Sequence, residues 1–298
     1  MQSVDVTQSD NSSNSQHIQH KWPAPLNGRE WDRLFPGVMD GIGVLGGGAN
    51  VIMQLALLPV GYGVADSKVE SGALFKHPIK RARTTFTYLA VAMMGTTEEK
   101  LAYRKAVNKS HTQVRSAEGD KVQYNAFDPE LQLWVAACLY WGFMDTYSKL
   151  YGEPDRARLE EFYRMAEPLG TTLQVRPGMW PADLDAFDRY WQAGLNKLQI
   201  DDKVRTFLTR LVDLKFLHPV LSRPFGPFHR FITTGFLPQT VRDQMRLDWS
   251  PSQQQNFDRF MKTVGGVNRL MPRLLRQFPF NLVMWDFRRR LRKGLPLV

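Results

Sequence analysis

Apolar residues recur at helical spacing through most of the chain. From Pro78, Phe86, Leu89, Ala90 and Met93 are related by steps of three and four, which marks one buried helical face. Gly95 followed by Thr96-Thr97 reads as a helix stop and a new cap. The next helix starts near Glu98, where Tyr103, Val107, His111 and Val114 fall at steps of four, four and three, so His111 is expected on the inward face. Asp128-Pro129 pairs an N-cap residue with a proline at the first helical position. It opens the run Leu131 to Met144, apolar enough to be buried on nearly all sides and too short to cross a bilayer. Further amphipathic helices are predicted over Pro154 to Gly170, Pro181 to Leu198, Asp201 to Leu217 and Thr240 to Leu247. The prolines at 219, 224 and 227 predict an irregular connection before Phe236, and Pro272 and Pro279 break the terminal section. No stretch alternates like a strand, and no linker divides the chain. The pattern predicts an all-α fold, with a single globular helical domain over 22–298.

The segment from Pro36 to Val64 carries one charge, Asp40, and includes the apolar run Val51 to Val60. A membrane-spanning helix needs about 20 apolar residues. The clean run after Gly46-Gly-Gly48 is about half that, so a buried core helix is expected. Gly41-Ile-Gly43-Val-Leu-Gly46 fits the dinucleotide spacing GxGxxG, but that fingerprint requires a preceding strand, and Asn27 to Val38 shows no strand pattern. A glycine-rich helix entry is the expectation.

Hydrophobic residues make up 43% and charged residues 23%, the ordinary globular range. Cys138 is the single cysteine, which excludes an internal disulfide and a cysteine-rich zinc site and fits a reducing, cytoplasmic compartment. Within its apolar helix Cys138 is expected to pack rather than react. Residues 1–21 are polar, rich in Ser, Asn and Gln, and lack a secretory pattern; a disordered tail is expected there. Nearly all of the net charge of +10 lies in the last 40 residues, where ten basic residues face one acid, Asp286. Arg288-Arg-Arg290, Arg292 and Lys293 beside Trp285, Phe287 and Leu291 resemble an interfacial segment for an anionic membrane surface. A solvated basic tail or a clamp for acidic helices fits equally. Nucleic-acid binding is disfavoured, because no reader motif accompanies the charge.

Six histidines could act as ligands or bases. His17 and His20 lie in the polar tail. His218 and His229 adjoin prolines and read as surface or satisfied core residues, and His77 precedes Pro78. None shows HExxH spacing, and no EF-hand, Cys/His, GxSxG, Walker or kinase pattern is present. A lone imidazole on an apolar face, as at His111, is either a satisfied core histidine or an axial haem ligand, which needs one nitrogen and an apolar slot. Arg81 and Thr85 lie at i and i+4 on one helical face. That arginine suits a carboxylate such as a haem propionate, and the threonine suits a bound oxygen species or its own backbone. A capping and salt-bridge cluster is the alternative. Lys80 and Arg83 are expected to be solvated.

Several blocks together resemble the MpaB-type and rubber-oxygenase (latex-clearing protein) catalytic domain. They are Gly46–Ala56, Pro59–Val64, Arg81–Leu89, His111–Val114, Tyr124–Leu131 with Trp134–Ala136, and Phe236–Arg242. The resemblance implies an all-α domain with a globin-like core that holds haem b through its iron. It places His111 as the metal ligand and Arg81 and Thr85 beside the haem. Thr84 occupies the place of a lysine in the rubber oxygenases, so any catalytic role at that position must differ. Leu57-Leu58 departs from a His-Pro pair of relatives. The implied activity is a haem-dependent oxygenase using dioxygen on a hydrophobic small molecule such as a lipid or isoprenoid. The alternative is a non-catalytic haem- or lipid-binding protein at the membrane surface.

Overall fold

A computed structural model describes residues 22–67 and 74–298. The polar tail expected over 1–21 lies outside the described residues. Asn27 closes a capping box with Glu30 and starts α1 (Gly28–Leu34). The glycine-rich segment forms a tight 3-10 turn, Gly41–Gly46, that runs into α2 (Gly47–Leu55). Among the described residues no strand precedes it, so the dinucleotide motif has no βαβ setting there. Helix α3 (Leu58–Ala65) follows after a bend of 107°, and among the described residues no single helix is long and apolar enough to cross a membrane.

Helices α4 (Pro78–Met94) and α5 (Thr97–His111) meet at Gly95, where Thr96 and Glu99 form the expected capping box. Helix α6 (Pro129–Tyr151) is capped by Asp128, whose side chain accepts from the backbone N–H groups of Glu130 and Leu131. It extends seven residues beyond the apolar run, because Asp145 and Lys149 pair at i and i+4 and carry the polar turns onward. Helices α7 (Arg156–Ala166) and α8 (Pro168–Thr171) replace one expected helix, since Pro168 starts a new segment. Next come α9 (Leu184–Leu195) and α10 (Asp202–Val212), each capped by an aspartate.

The connection expected to be irregular is instead a helix, α11 (Pro219–Phe236), with Pro224 and Pro227 inside it. Pro219 sits in the first turn, where its missing N–H costs nothing. The carbonyls that Pro224 and Pro227 leave unpaired belong to Val220 and Arg223, both exposed, so water can satisfy them. Ser222 and Gly226 turn the other face into the core. Helices α12 (Gln239–Met245), α13 (Pro251–Leu270), α14 (Arg273–Arg276) and α15 (Phe280–Arg292) complete the chain. Among the described residues the sole strand-like pairing is an isolated bridge between Arg115 and Asn125.

Helix α6 is the core. Trp134 donates from Nε1 to the Met53 carbonyl at 3.2 Å and stacks on Trp191 at 5.2 Å. The α9 backbone comes so close that a Cβ on Gly194 would lie 2.3 Å from the Trp134 ring. Cys138 is fully buried, and burial raises its thiol well above the usual range, as a packing cysteine requires.

The terminal section is locked onto the start of the chain. Arg276 donates to both Asp40 oxygens at 3.1 and 2.9 Å and to both Asp32 oxygens at 3.1 and 3.0 Å. Asn268 and Tyr151 donate to the same Asp40 carboxylate at 2.6 and 3.0 Å. Burial raises the Asp40 pKa, and the Arg276 fork opposes that shift. Gly41 admits the terminal backbone, since a Cβ there would sit 1.5 Å from the Phe278 carbonyl oxygen. Beyond the lock, α15 lays Phe280 edge-on to Phe86 and Phe287 edge-on to Tyr103.

Candidate functional site

Two helices joined at Gly95 present polar residues at matching intervals. On α4 these are Arg81, Thr85 and Tyr88, and on α5 they are Arg104, Asn108 and His111; each set follows steps of four and three, which place its members on one helical face. The Tyr103 hydroxyl donates to the Thr84 carbonyl at 2.7 Å and ties the two helices together. Tyr88 donates to the Leu169 carbonyl at 2.5 Å and anchors α4 to α8.

His111 ends α5 against the edge of Phe127, with ring centroids 6.2 Å apart. Its Nδ1 is buried with no partner, and among the described residues neither ring nitrogen forms a hydrogen bond. Burial, and then the positive charge of Arg81, lower its pKa to about 4. The imidazole is therefore neutral at physiological pH, the form that can donate a nitrogen lone pair to a metal.

Arg81 keeps accessible surface, yet protein surrounds it closely enough that desolvation lowers its pKa. The side chain lies on an exposed part of α4, with protein close enough to strip part of its hydration. Among the described residues it has no hydrogen-bonding partner and no carboxylate. Arg104 is similar: desolvation lowers its pKa, and its contact is a neutral one, to Gln174 Oε1 at 3.3 Å. Gln174 in turn donates from its side chain to Asn108 at 2.7 Å and from its backbone N–H to Gln132 Oε1 at 2.8 Å. This face of α4 and α5 thus carries two arginines without a counter-anion among the described residues, and one neutral imidazole with an unpartnered Nδ1.

Thr84 and Thr85 differ in what their hydroxyls do. Thr84 donates to the Lys80 carbonyl at 3.0 Å, whereas Thr85 makes no hydrogen bond among the described residues. Thr85 shares its face with Arg81, so its hydroxyl is the free one of the pair. Of the other histidines, His229 is satisfied by the Val212 carbonyl at 2.8 Å, and His218 caps α11. Among the described residues, no group of three or more His, Cys, Asp or Glu stands ready to hold a bare metal ion.

The catalytic-domain family of the ER-bound oxygenase mpaB/B' and the rubber oxygenase is matched over residues 37–266. The chain belongs to this oxygenase family. Two relatives, the uncharacterized protein Rv2237 of Mycobacterium tuberculosis and the uncharacterized protein Mb2261 of Mycobacterium bovis, are each 50% identical over 250 residues, covering 84% of this chain and 98% of theirs. No solved structure matches it significantly. The family's all-α domain agrees with the helices observed, and the matched span contains Arg81, Thr85, Arg104, His111 and Gln174. Arg104 and Gln174 join this polar group without having been singled out by sequence. The signal for Arg104 was present in its spacing of seven from His111.

Proposed function

We propose that this member of the oxygenase family binds haem b and uses dioxygen to oxidise a hydrophobic small molecule such as a lipid or isoprenoid. The observation that carries the proposal is His111, neutral and with its Nδ1 unpartnered, on the helix pair that also carries Arg81 and Arg104 without acidic partners. A buried polar group left without a partner costs about 1–3 kcal/mol, so such a group is best understood through a ligand. A bare non-haem metal would need several donors in one place. Haem needs one imidazole, an apolar slot and cations for its carboxylates, and the residues present fit those needs.

In this scheme His111 would be the iron ligand, held in its neutral, lone-pair-bearing form by burial. Arg81 and Arg104 are the cations available to the haem propionates, since an arginine fork matches a carboxylate. Bound haem would supply redox-active iron for dioxygen activation. Thr85 offers a hydroxyl proton on the face of Arg81. Thr84 already spends its hydroxyl on the backbone, so its part is positional, through the Thr84 carbonyl that receives Tyr103.

Protein produced with ample haem supply should be red with a Soret band, and His111→Ala should remove that band while far-ultraviolet circular dichroism is retained. A colourless wild-type protein sinks the proposal. Oxygen uptake with candidate alkenes then separates an oxygenase from a passive haem carrier.

A further inference from the structure

We propose that the surface formed by the end of α13, by α14 and by the outer face of α15 docks the protein onto an anionic lipid bilayer. Seventeen large apolar side chains are exposed among the described residues, and ten of them fall between Val267 and Leu295. Leu270 is 86% exposed, Leu274 68%, Leu275 60% and Trp285 58%. Apolar exposure this concentrated marks an interaction surface.

Helix α15 shows how the surface is built. Phe280, Val283, Met284 and Phe287 are buried, and the helix lies against α4. Leu282 and Trp285, three residues apart, point the other way with Arg292. The same region carries uncommitted charge. Arg273, Arg292 and Lys293 have no ion-pair partner among the described residues, and Arg269 contacts the ring and carbonyl of Tyr151 rather than an acid.

That charge selects the occupant. A second copy of this face would bring the same positive charge against itself. Nucleic acid would leave Leu270, Leu274 and Leu275 against phosphate, with neither stacking nor hydrogen bonding to gain. An anionic leaflet offers both complements, phosphate headgroups for the arginines and an apolar layer beneath for the leucines and tryptophan. A groove of about 550 Å³ adjoins the surface, with Met94, Phe280 and Met284 in its lining beside Arg288 and Arg292. Arg288 in that lining is paired with Glu99, which leaves Arg292 as its cation without an acidic partner among the described residues.

The inference does not rest on haem, since vesicle binding and the Soret band are read separately. Full-length protein should sediment with vesicles of phosphatidylcholine containing roughly one quarter phosphatidylserine, and not with phosphatidylcholine alone. High salt should release it. The pairs Leu274→Ser/Leu275→Ser and Arg292→Glu/Lys293→Glu should each weaken binding roughly tenfold or more. If the leucine pair disturbs folding by circular dichroism, the charge pair decides, because both of its residues are exposed. Protein that stays in the supernatant with anionic vesicles, that binds both vesicle types equally, or whose folded charge-pair variant binds as wild type overturns the proposal. A dimer dissolved by Leu274→Ser, without vesicle binding, would reassign the surface to contact between copies.

Discussion

Arg276 and Arg81 both lose hydration to nearby protein, but Arg276 is largely covered whereas Arg81 is exposed, and they are treated in opposite ways. Arg276 meets two carboxylates through four hydrogen bonds, and its pKa is raised once the attraction of Asp40 and Asp32 outweighs desolvation. Arg81 meets none, and desolvation lowers its pKa against a smaller opposing pull from Tyr103. The first arginine therefore belongs to the architecture, whereas the second has no acidic partner among the described residues. An incoming carboxylate would complete Arg81 as Asp40 completes Arg276.

The largest effect that separates the two is on stability. Arg276→Met leaves Asp40 buried without its main partner and should destabilise the protein by about 3–5 kcal/mol in urea unfolding. Arg81→Met should change ligand-free stability by no more than about 0.5 kcal/mol, while weakening haem retention. Equal losses in the two variants would break the contrast.

A pH series on haem-free protein probes how Arg81 acts on His111. The folded pKa of about 4 lies below the ordinary value of 6.5. Between those values the unfolded chain takes up a proton that the folded protein refuses, so stability should fall as pH drops through that window and level off below it. The loss is at most about 3 kcal/mol, and less to the extent that solvent reaches the ring. His111→Phe should flatten this limb. Arg81→Met should shrink it, because the repelling charge is gone. A limb unchanged by Arg81→Met would mean that the two side chains do not sense each other.

Smaller effects test the supports of this polar group. Asp128→Ala removes the cap of α6 beside Phe127 and should cost about 1 kcal/mol in thermal unfolding. Thr84→Val and Thr85→Val should each stay within about 0.5 kcal/mol in stability. They should part in function: turnover, measured by oxygen uptake, should respond to Thr85→Val more than to Thr84→Val. The reverse order would move the active hydroxyl to Thr84.

Local grammar made much of the fold legible. Asp128-Pro129 and Gly95-Thr96 announced helix boundaries because capping is a matter of a few adjacent residues. Pro224 and Pro227 misled for the same reason: what rescues them is the solvent exposure of the carbonyls they orphan, a property of the folded molecule. His111 was legible as an inward position from its period, but its lack of a partner was not, since that depends on what Phe127 and α4 bring near it. The lock at Arg276 left no local trace at all. Its acids lie more than two hundred residues away in sequence, and no spacing rule connects them.

That lock also bears on where the folding unit ends. The family match stops at residue 266, whereas Asp40 finds Asn268 and Arg276 after that point, and Phe86 and Tyr103 find Phe280 and Phe287. A chain cut at the family boundary would strand a carboxylate and bare the back of the very helices that carry Arg81 and His111. The last thirty residues behave as a keystone: outside the shared catalytic blueprint, they are what allows it to stand.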